Sequence, residues 1–166
     1  MPSKRMRNMK KEDLEFMKIV LEMAENNVKE GRGGPFAAII VKDGKIVGRG
    51  TNLVTSINDP TAHAEIVAIR DAAKNLNTFN LQGTEIYTSC EPCPMCLGAI
   101  YWARIDKIYY AATREDAKNA GFDDLEFYEE ICKKPEDRKI KMIKLEIPEK
   151  NKAFEVWIKK EDKIPY

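Results

Sequence analysis

The chain of 166 residues carries 28 basic and 27 acidic side chains, so it lacks the strong basic excess of a protein that grips nucleic acid through its phosphates. No apolar run is long enough to span a membrane, and the basic opening (Lys4, Arg5, Arg7, Lys10, Lys11) leads into no apolar stretch of the kind a secretory leader needs. The length suits one domain with a substantial core, and the charged fraction of 33%, rich in Lys and Glu, is of a kind enriched in heat-adapted proteins. The basic opening reads as a solvated tail, with phosphate contact as the alternative.

Residues 12–29 predict a first helix: Leu14, Met17, Leu21, Ala24 and Val28 recur at spacings of three and four, and Gly31 stands where the helix would stop. The continuous apolar run 36–41 predicts a strand, Asp43-Gly44 a tight hairpin turn, and 46–52 the returning strand. His63, the only histidine, stands at the start of a second amphipathic helix, with Asp59 as its expected cap and Pro60 near its first turn. Residues 84–89 and 107–111 read as strands on either side of a helix that opens at Cys93, the β-α-β order of parallel pairing. Residues 124–133 are expected to be helical up to Pro135, and 141–147 to alternate as a strand. Residues 151–160 are expected to form a last helix with Phe154, Trp157 and Ile158 on one face. Helices on both faces of a five-stranded mixed sheet make a three-layer α/β/α sandwich.

Chemistry concentrates in C-E-P-C-P-M-C-L-G-A-I-Y-W-A-R at 90–104. Cys93 and Cys96 are three apart at a helix entrance that Pro92 and Pro94 suit, and the unpaired N–H groups and positive dipole end there favour thiolates. His63 brings the candidate ligands to three. Catalytic zinc keeps three protein ligands and one open position, whereas a structural site closes all four. Glu65 is the candidate to act on a water in that position. Residues two apart on a helix project from nearly opposite sides, so His63 and Glu65 serve one centre only if it lies off the helix's N-terminal end. Two helix starts are therefore expected to aim at one ion. A thioredoxin-like C-x-x-C is an alternative, but it has no use for H-x-E. If Cys90 also reached the metal, a closed Cys₃His structural module would result; its place at a strand end and an idle Glu65 argue against that. Cys132, near a helix end, reads as a small buried apolar residue.

H-A-E at 63–65 together with P-C-P-M-C at 92–96 resembles the signature by which the cytidine-deaminase-like zinc deaminases are described as a class. G-G-P-F at 33–36, N-D-P-T-A-H-A-E at 58–65, T-S-C-E-P-C-P-M-C-L-G-A-I-Y-W-A-R at 88–104, A-G-F-D-D at 120–124 and the terminal Tyr166 are similar to the small guanine deaminases over nearly the whole chain. The resemblance implies the same α/β/α architecture, a Zn²⁺ cofactor, and hydrolysis of guanine to xanthine and ammonia by a zinc-bound hydroxide, with Glu65 as the proton shuttle. It also implies that Asn52 hydrogen-bonds the purine edge, Phe36 stacks on it, the Ala64 backbone N–H adds a contact, and Asp124 faces the N–H side of the base. Taken without the resemblance, Asn52 reads as a turn residue, Phe36 as core and Trp102 as either pocket wall or packing. The family further implies a homodimer whose C-terminal segment crosses to the partner, placing Tyr166 over the neighbour's pocket. A tRNA adenosine deaminase and a cytosine or cytidine deaminase are the nearest alternatives, disfavoured by the near-zero net charge, A-G-F-D-D and the short Pro165-Tyr166 terminus. A cytoplasmic address is expected from cysteines that bind metal. No membrane or nucleic-acid partner is expected.

Overall fold

The computed structural model describes residues 10–166, so the reading of Lys4, Arg5 and Arg7 as a solvated tail lies outside the described residues. In order, the elements are α1 (Lys11–Lys29), β1 (Ala37–Lys42), β2 (Lys45–Thr51), α2 (Val54–Ile57), α3 (Ala64–Leu76), β3 (Thr84–Cys90), α4 (Pro94–Trp102), β4 (Lys107–Ala112), α5 (Arg114–Asn119), α6 (Leu125–Cys132) and α7 (Lys152–Lys159). The chain divides into two compact units, Met1–Asp124 and Leu125–Tyr166.

The first unit is built on a sheet of order β2-β1-β3-β4. β1 is antiparallel to both neighbours, and β3 pairs in parallel with β4 across α4. β1 is apolar at successive positions because the sheet is covered on both faces. Ala38 and Ile40 pack with Ala64, Ala68 and Ala72 of α3 and Ile100 of α4, whereas Ala37, Ile39 and Val41 pack with Val20 and Ala24 of α1 and with Tyr87. Ile39 and Ile40 are completely buried, each contributing about 1.5–3 kcal/mol through lost apolar exposure. The first unit is thus α1, sheet, then α3 with α4.

How closely α3 lies on β2 decides where the catalytic groups fall. A Cβ on Gly50 would stand 2.1 Å from the Ala64 carbonyl oxygen, and one on Gly48 would stand 2.6 Å from that of Ala68. Only glycine lets the helix start settle this near the strand.

α1 has the expected extent, and Met17 and Ala24 of the expected stripe reach the core, but the buried face is shifted from the rest of it. Its buried positions are Val20, Ala24 and Asn27, while Leu14, Leu21 and Val28 are exposed. A count of apolar residues selects the neighbouring stripe because the buried one ends in an amide.

The second unit holds α6, short 3₁₀ turns at Pro135–Asp137 and Pro148–Asn151, and α7. Residues 141–147, expected as a fifth strand, have no regular structure. Ile143 and Leu145 are 81% and 69% exposed. Alternation marks a segment with one face to bury, but a strand also needs an edge to pair with, and among the described residues no ladder includes this segment. The sheet therefore has four strands rather than five. Cys132 is exposed rather than buried, because α6 contributes no buried position. α7 likewise has none. Among the described residues, no helix is long and apolar enough to cross a membrane.

Candidate active site

Both helix starts carry a ligand where a capping side chain normally sits. His63 is the N-cap of α3 (φ −67°, ψ 154°) and Cys93 that of α4 (φ −66°, ψ 167°), and neither side chain closes its first turn. Both helices therefore keep first-turn N–H donors and positive dipole ends for an anionic centre. Asp59 is not the cap of α3. Its Oδ1 accepts from the N–H and hydroxyl of Thr61 at 2.8 and 2.7 Å, closing a turn that holds Pro60 ahead of the helix.

His63 Nδ1 lies 3.6 Å from Cys93 Sγ and 3.5 Å from Cys96 Sγ. A tetrahedral zinc with nitrogen at ~2.0–2.1 Å and sulfur at ~2.3 Å would hold such a pair about 3.6 Å apart, so spacing and donor chemistry both fit zinc. Among the described residues, this is the only group of three or more such side chains close enough to share an ion. Cys90 stands apart at the end of β3, where its S–H donates to the Thr113 carbonyl at 3.4 Å and burial pushes its thiol up to about 11. The Cys96 S–H, then His63, hold Cys93 down to about 4, while Cys96 is pushed up by the bond it makes to Cys93. His63 is raised by its bond to Cys93. A divalent ion bound by His63, Cys93 and Cys96 would displace the thiol proton and be held by two thiolates and one imidazole nitrogen.

Glu65, the second residue of α3, is buried, and that burial pushes its carboxyl above the ordinary value. Thr88 donates its hydroxyl to Oε1 at 3.3 Å, and Cys96 donates S–H to Oε2 at 3.4 Å.

The cavity over these groups measures about 250 Å³ and is also lined by Phe36, Asn52, Val54, Thr55, Glu91, Arg114, Ala117, Phe122 and Asp124. Asn52 Oδ1 accepts from the N–H groups of Gly34 and Val54, both at 3.3 Å, which leaves its Nδ2 as the donor for a ligand. Phe36 meets Phe122 edge to face, with centroids 4.9 Å apart at 84°. Asp124 Oδ1 is buried with no hydrogen-bond partner among the described residues, and burial, then Cys93, pushes its carboxyl up. Ala64 is fully buried and opens α3, so its N–H is one of the first-turn donors.

Trp102 does not line the cavity; it ends α4 and is 68% exposed. At 1.5 Å per residue it stands about 9 Å along the helix from Cys96. Tyr166 belongs to the second unit and is exposed. Sequence reasoning missed Phe122, Glu91, Arg114 and Thr88. Phe122 lay inside A-G-F-D-D and Glu91 inside C-E-P-C. Arg114, which donates to Glu91 through N, Nε and Nη2 at 3.2, 3.1 and 2.5 Å, is the first helical residue inside the capping box formed by Thr113 and Asp116.

Residues 10–112 match the family described as the cytidine and deoxycytidylate deaminase zinc-binding region. A guanine deaminase of Bacillus subtilis (strain 168) is 51% identical over 142 residues, spanning 86% of this chain and 91% of that protein. The X-ray structure of a guanine deaminase from Bacillus subtilis superposes with a TM-score of 0.91 at 49% identity, covering 95% of this chain and 99% of that one. A tRNA-specific adenosine deaminase of Aquifex aeolicus (strain VF5) is 42% identical over 106 residues, spanning 64% of this chain and 68% of that protein.

Proposed function

The chain belongs to the cytidine and deoxycytidylate deaminase zinc-binding family, and from that membership we propose that it is a guanine deaminase, converting guanine and water to xanthine and ammonia. The observation that carries the choice of base is the buried, unpartnered Asp124 oxygen in the cavity that His63 and Cys93 of the metal group also line. A carboxylate accepts from guanine's N1–H, where adenine presents a ring acceptor instead. The match to a guanine deaminase over 86% of the chain, against 64% for the adenosine enzyme, supports the same choice.

Zinc held by His63, Cys93 and Cys96 supplies the Lewis acidity that makes water a nucleophile near neutral pH. Glu65 accepts the water's proton, for which a carboxyl raised by burial is suited. As the water oxygen bonds to C2, Glu65 delivers that proton to N3. It then takes the remaining hydroxyl proton and passes it to the exocyclic amine, so the C2–N bond breaks, ammonia leaves and the C2 oxygen becomes the carbonyl of xanthine. A ligating Cys96 has no S–H to give, which frees Oε2 of Glu65 for this traffic. Thr88 holds Oε1 meanwhile. Asn52 donates Nδ2 to the purine edge, Phe36 stacks on the ring, and the Ala64 N–H completes the contacts.

The protein acts as a homodimer in which residues 125–166 cross to the partner and Tyr166 covers the neighbour's pocket. The support is that neither helix of this unit has a buried residue, while Phe127, Ile131, Phe154 and Trp157 stand exposed on them. Mixing a Glu65→Ala chain with one lacking residues 163–166 tests this. Exchange predicts activity regained in the mixture, and inert mixtures of confirmed heterodimers contradict it. A cytoplasmic site is the proposed address, supported by two cysteines serving as metal ligands and no disulfide among the described residues, which suits a reducing compartment.

The substrate assignment is tested by incubating the purified zinc protein with guanine, adenine, cytosine, their nucleosides and a tRNA anticodon hairpin while measuring ammonia. Release from guanine far above the rest is expected. Preference for the hairpin or for cytosine overturns the assignment.

A further inference from the structure

α1 contributes nothing to the cavity, yet the last buried position of its stripe is a polar one. Asn27 is completely buried. Its Nδ2 donates two hydrogen bonds, both 2.9 Å, to the carbonyl oxygens of Gly34 and Asn52. Its Oδ1 is buried with no partner among the described residues. An apolar side chain would fill this helix position without leaving a polar atom unsatisfied, so packing alone gives no reason for an amide here.

What the two Nδ2 bonds hold supplies the reason. Gly34 leads into Phe36 and Asn52 follows β2, so the amide ties together the two segments that bear the stacking ring and the donor amide. The same segments are cross-linked again: Asn52 N–H donates to the Phe36 carbonyl at 3.0 Å, and Gly34 N–H donates to Asn52 Oδ1 at 3.3 Å. They also approach too closely for any side chain at Gly33, where a Cβ would stand 2.2 Å from the carbonyl oxygen of Asn52 that Asn27 grips. Without the Asn27 donors, the Asn52 carbonyl loses its buried hydrogen bond, the half-buried Gly34 carbonyl keeps only the Phe36 N–H at 2.9 Å, and the loop from Gly33 to Phe36 loses its anchor to the helix.

We infer that Asn27 is a positioning residue for base recognition, a buried clamp on α1 that fixes Asn52 and Phe36 relative to each other and so sets guanine affinity from outside the pocket. The inference rests on the reading that Asn52 contacts the base.

The test is a double-mutant cycle on the zinc-loaded dimer with Asn27→Ala, Asn52→Ala and both, following guanine KM and kcat, zinc content, and amide hydrogen exchange. Asn27→Ala is expected to raise KM about tenfold with kcat changed less than threefold and zinc retained, and to speed exchange at residues 33–36 and 52–54. In the Asn52→Ala background the same change should raise KM less than twofold further, because the clamp then has no amide to aim. Should Asn27→Ala fail to fold, Asn27→Leu fills the volume, donates nothing and takes its place. Effects on KM that simply multiply, or unchanged exchange in the two segments, overturn the clamp. If Asn52→Ala alone leaves KM unchanged while Asn27→Ala speeds exchange, the base-contact reading is what has failed, and the inference falls with its premise.

Discussion

The two ends of the cavity are built by different means. At the metal end, each functional group lies within three residues of a helix start: His63 and Glu65 open α3, and Cys93 and Cys96 open α4. At the end proposed to take the base, Phe36 precedes β1, Asn52 follows β2, and Phe122 and Asp124 follow α5. A metal demands fixed angles at one point, and two rigid helix N-termini provide them with local backbone geometry. A flat heterocycle instead demands a slot with walls on several sides, which has to be gathered from segments distant in sequence.

That contrast assigns different kinetic signatures to the two ends. The largest effect belongs to the ligands. His63→Ala should leave less than one tenth of the zinc bound and abolish deamination, measured by elemental analysis beside an ammonia assay; a zinc-replete, active variant would break the account at its base. Next comes Glu65→Gln, which should keep its zinc and lose roughly 10²- to 10⁴-fold in kcat, the usual worth of general acid–base help. Loss of metal in proportion to loss of rate would instead make Glu65 a structural support. At the base end, Asp124→Asn should lower kcat/KM for guanine by roughly 10- to 100-fold through loss of a charged hydrogen bond. Its zinc content should not change, and a kcat/KM equal to wild type would remove Asp124 from recognition.

The smallest expected effect concerns Glu91, which joins the metal loop to the start of α5. Its hydrogen bond from the Arg114 side chain holds its carboxyl below the ordinary range. A depressed carboxyl stabilises the fold above its unfolded value of about 4.3, and that contribution is lost as pH falls through the folded value. Thermal unfolding of wild type and Glu91→Gln should therefore differ by about 1 kcal/mol at pH 7, with the gap closing below pH 4. A gap that persists in acid would show that the pair does not supply it.

The same contrast explains what could be read before the fold was known. The metal end was legible because H-A-E and P-C-P-M-C are local spacings with one chemical use. The strands of the first unit were legible because a run such as 37–41 in β1 is apolar at successive positions only when both faces are covered. Asn27 was invisible because hydrophobic periodicity counts side chains that avoid water and passes over an amide matched by two carbonyls. Glu91 and Arg114 were passed over because their partnership spans 23 positions and either residue alone resembles a solvated charge. The segment at 141–147 was misread because alternation describes a surface with one side to bury without saying what buries it.

Zinc K-edge X-ray absorption on the purified, active protein tests the central claim most directly. One zinc per chain is expected, with two sulfurs at ~2.3 Å and two lighter atoms at ~2.0–2.1 Å, one from His63 and one from water. A shell of three sulfurs and one nitrogen would bring Cys90 into the site, close the open position and contradict hydrolysis there.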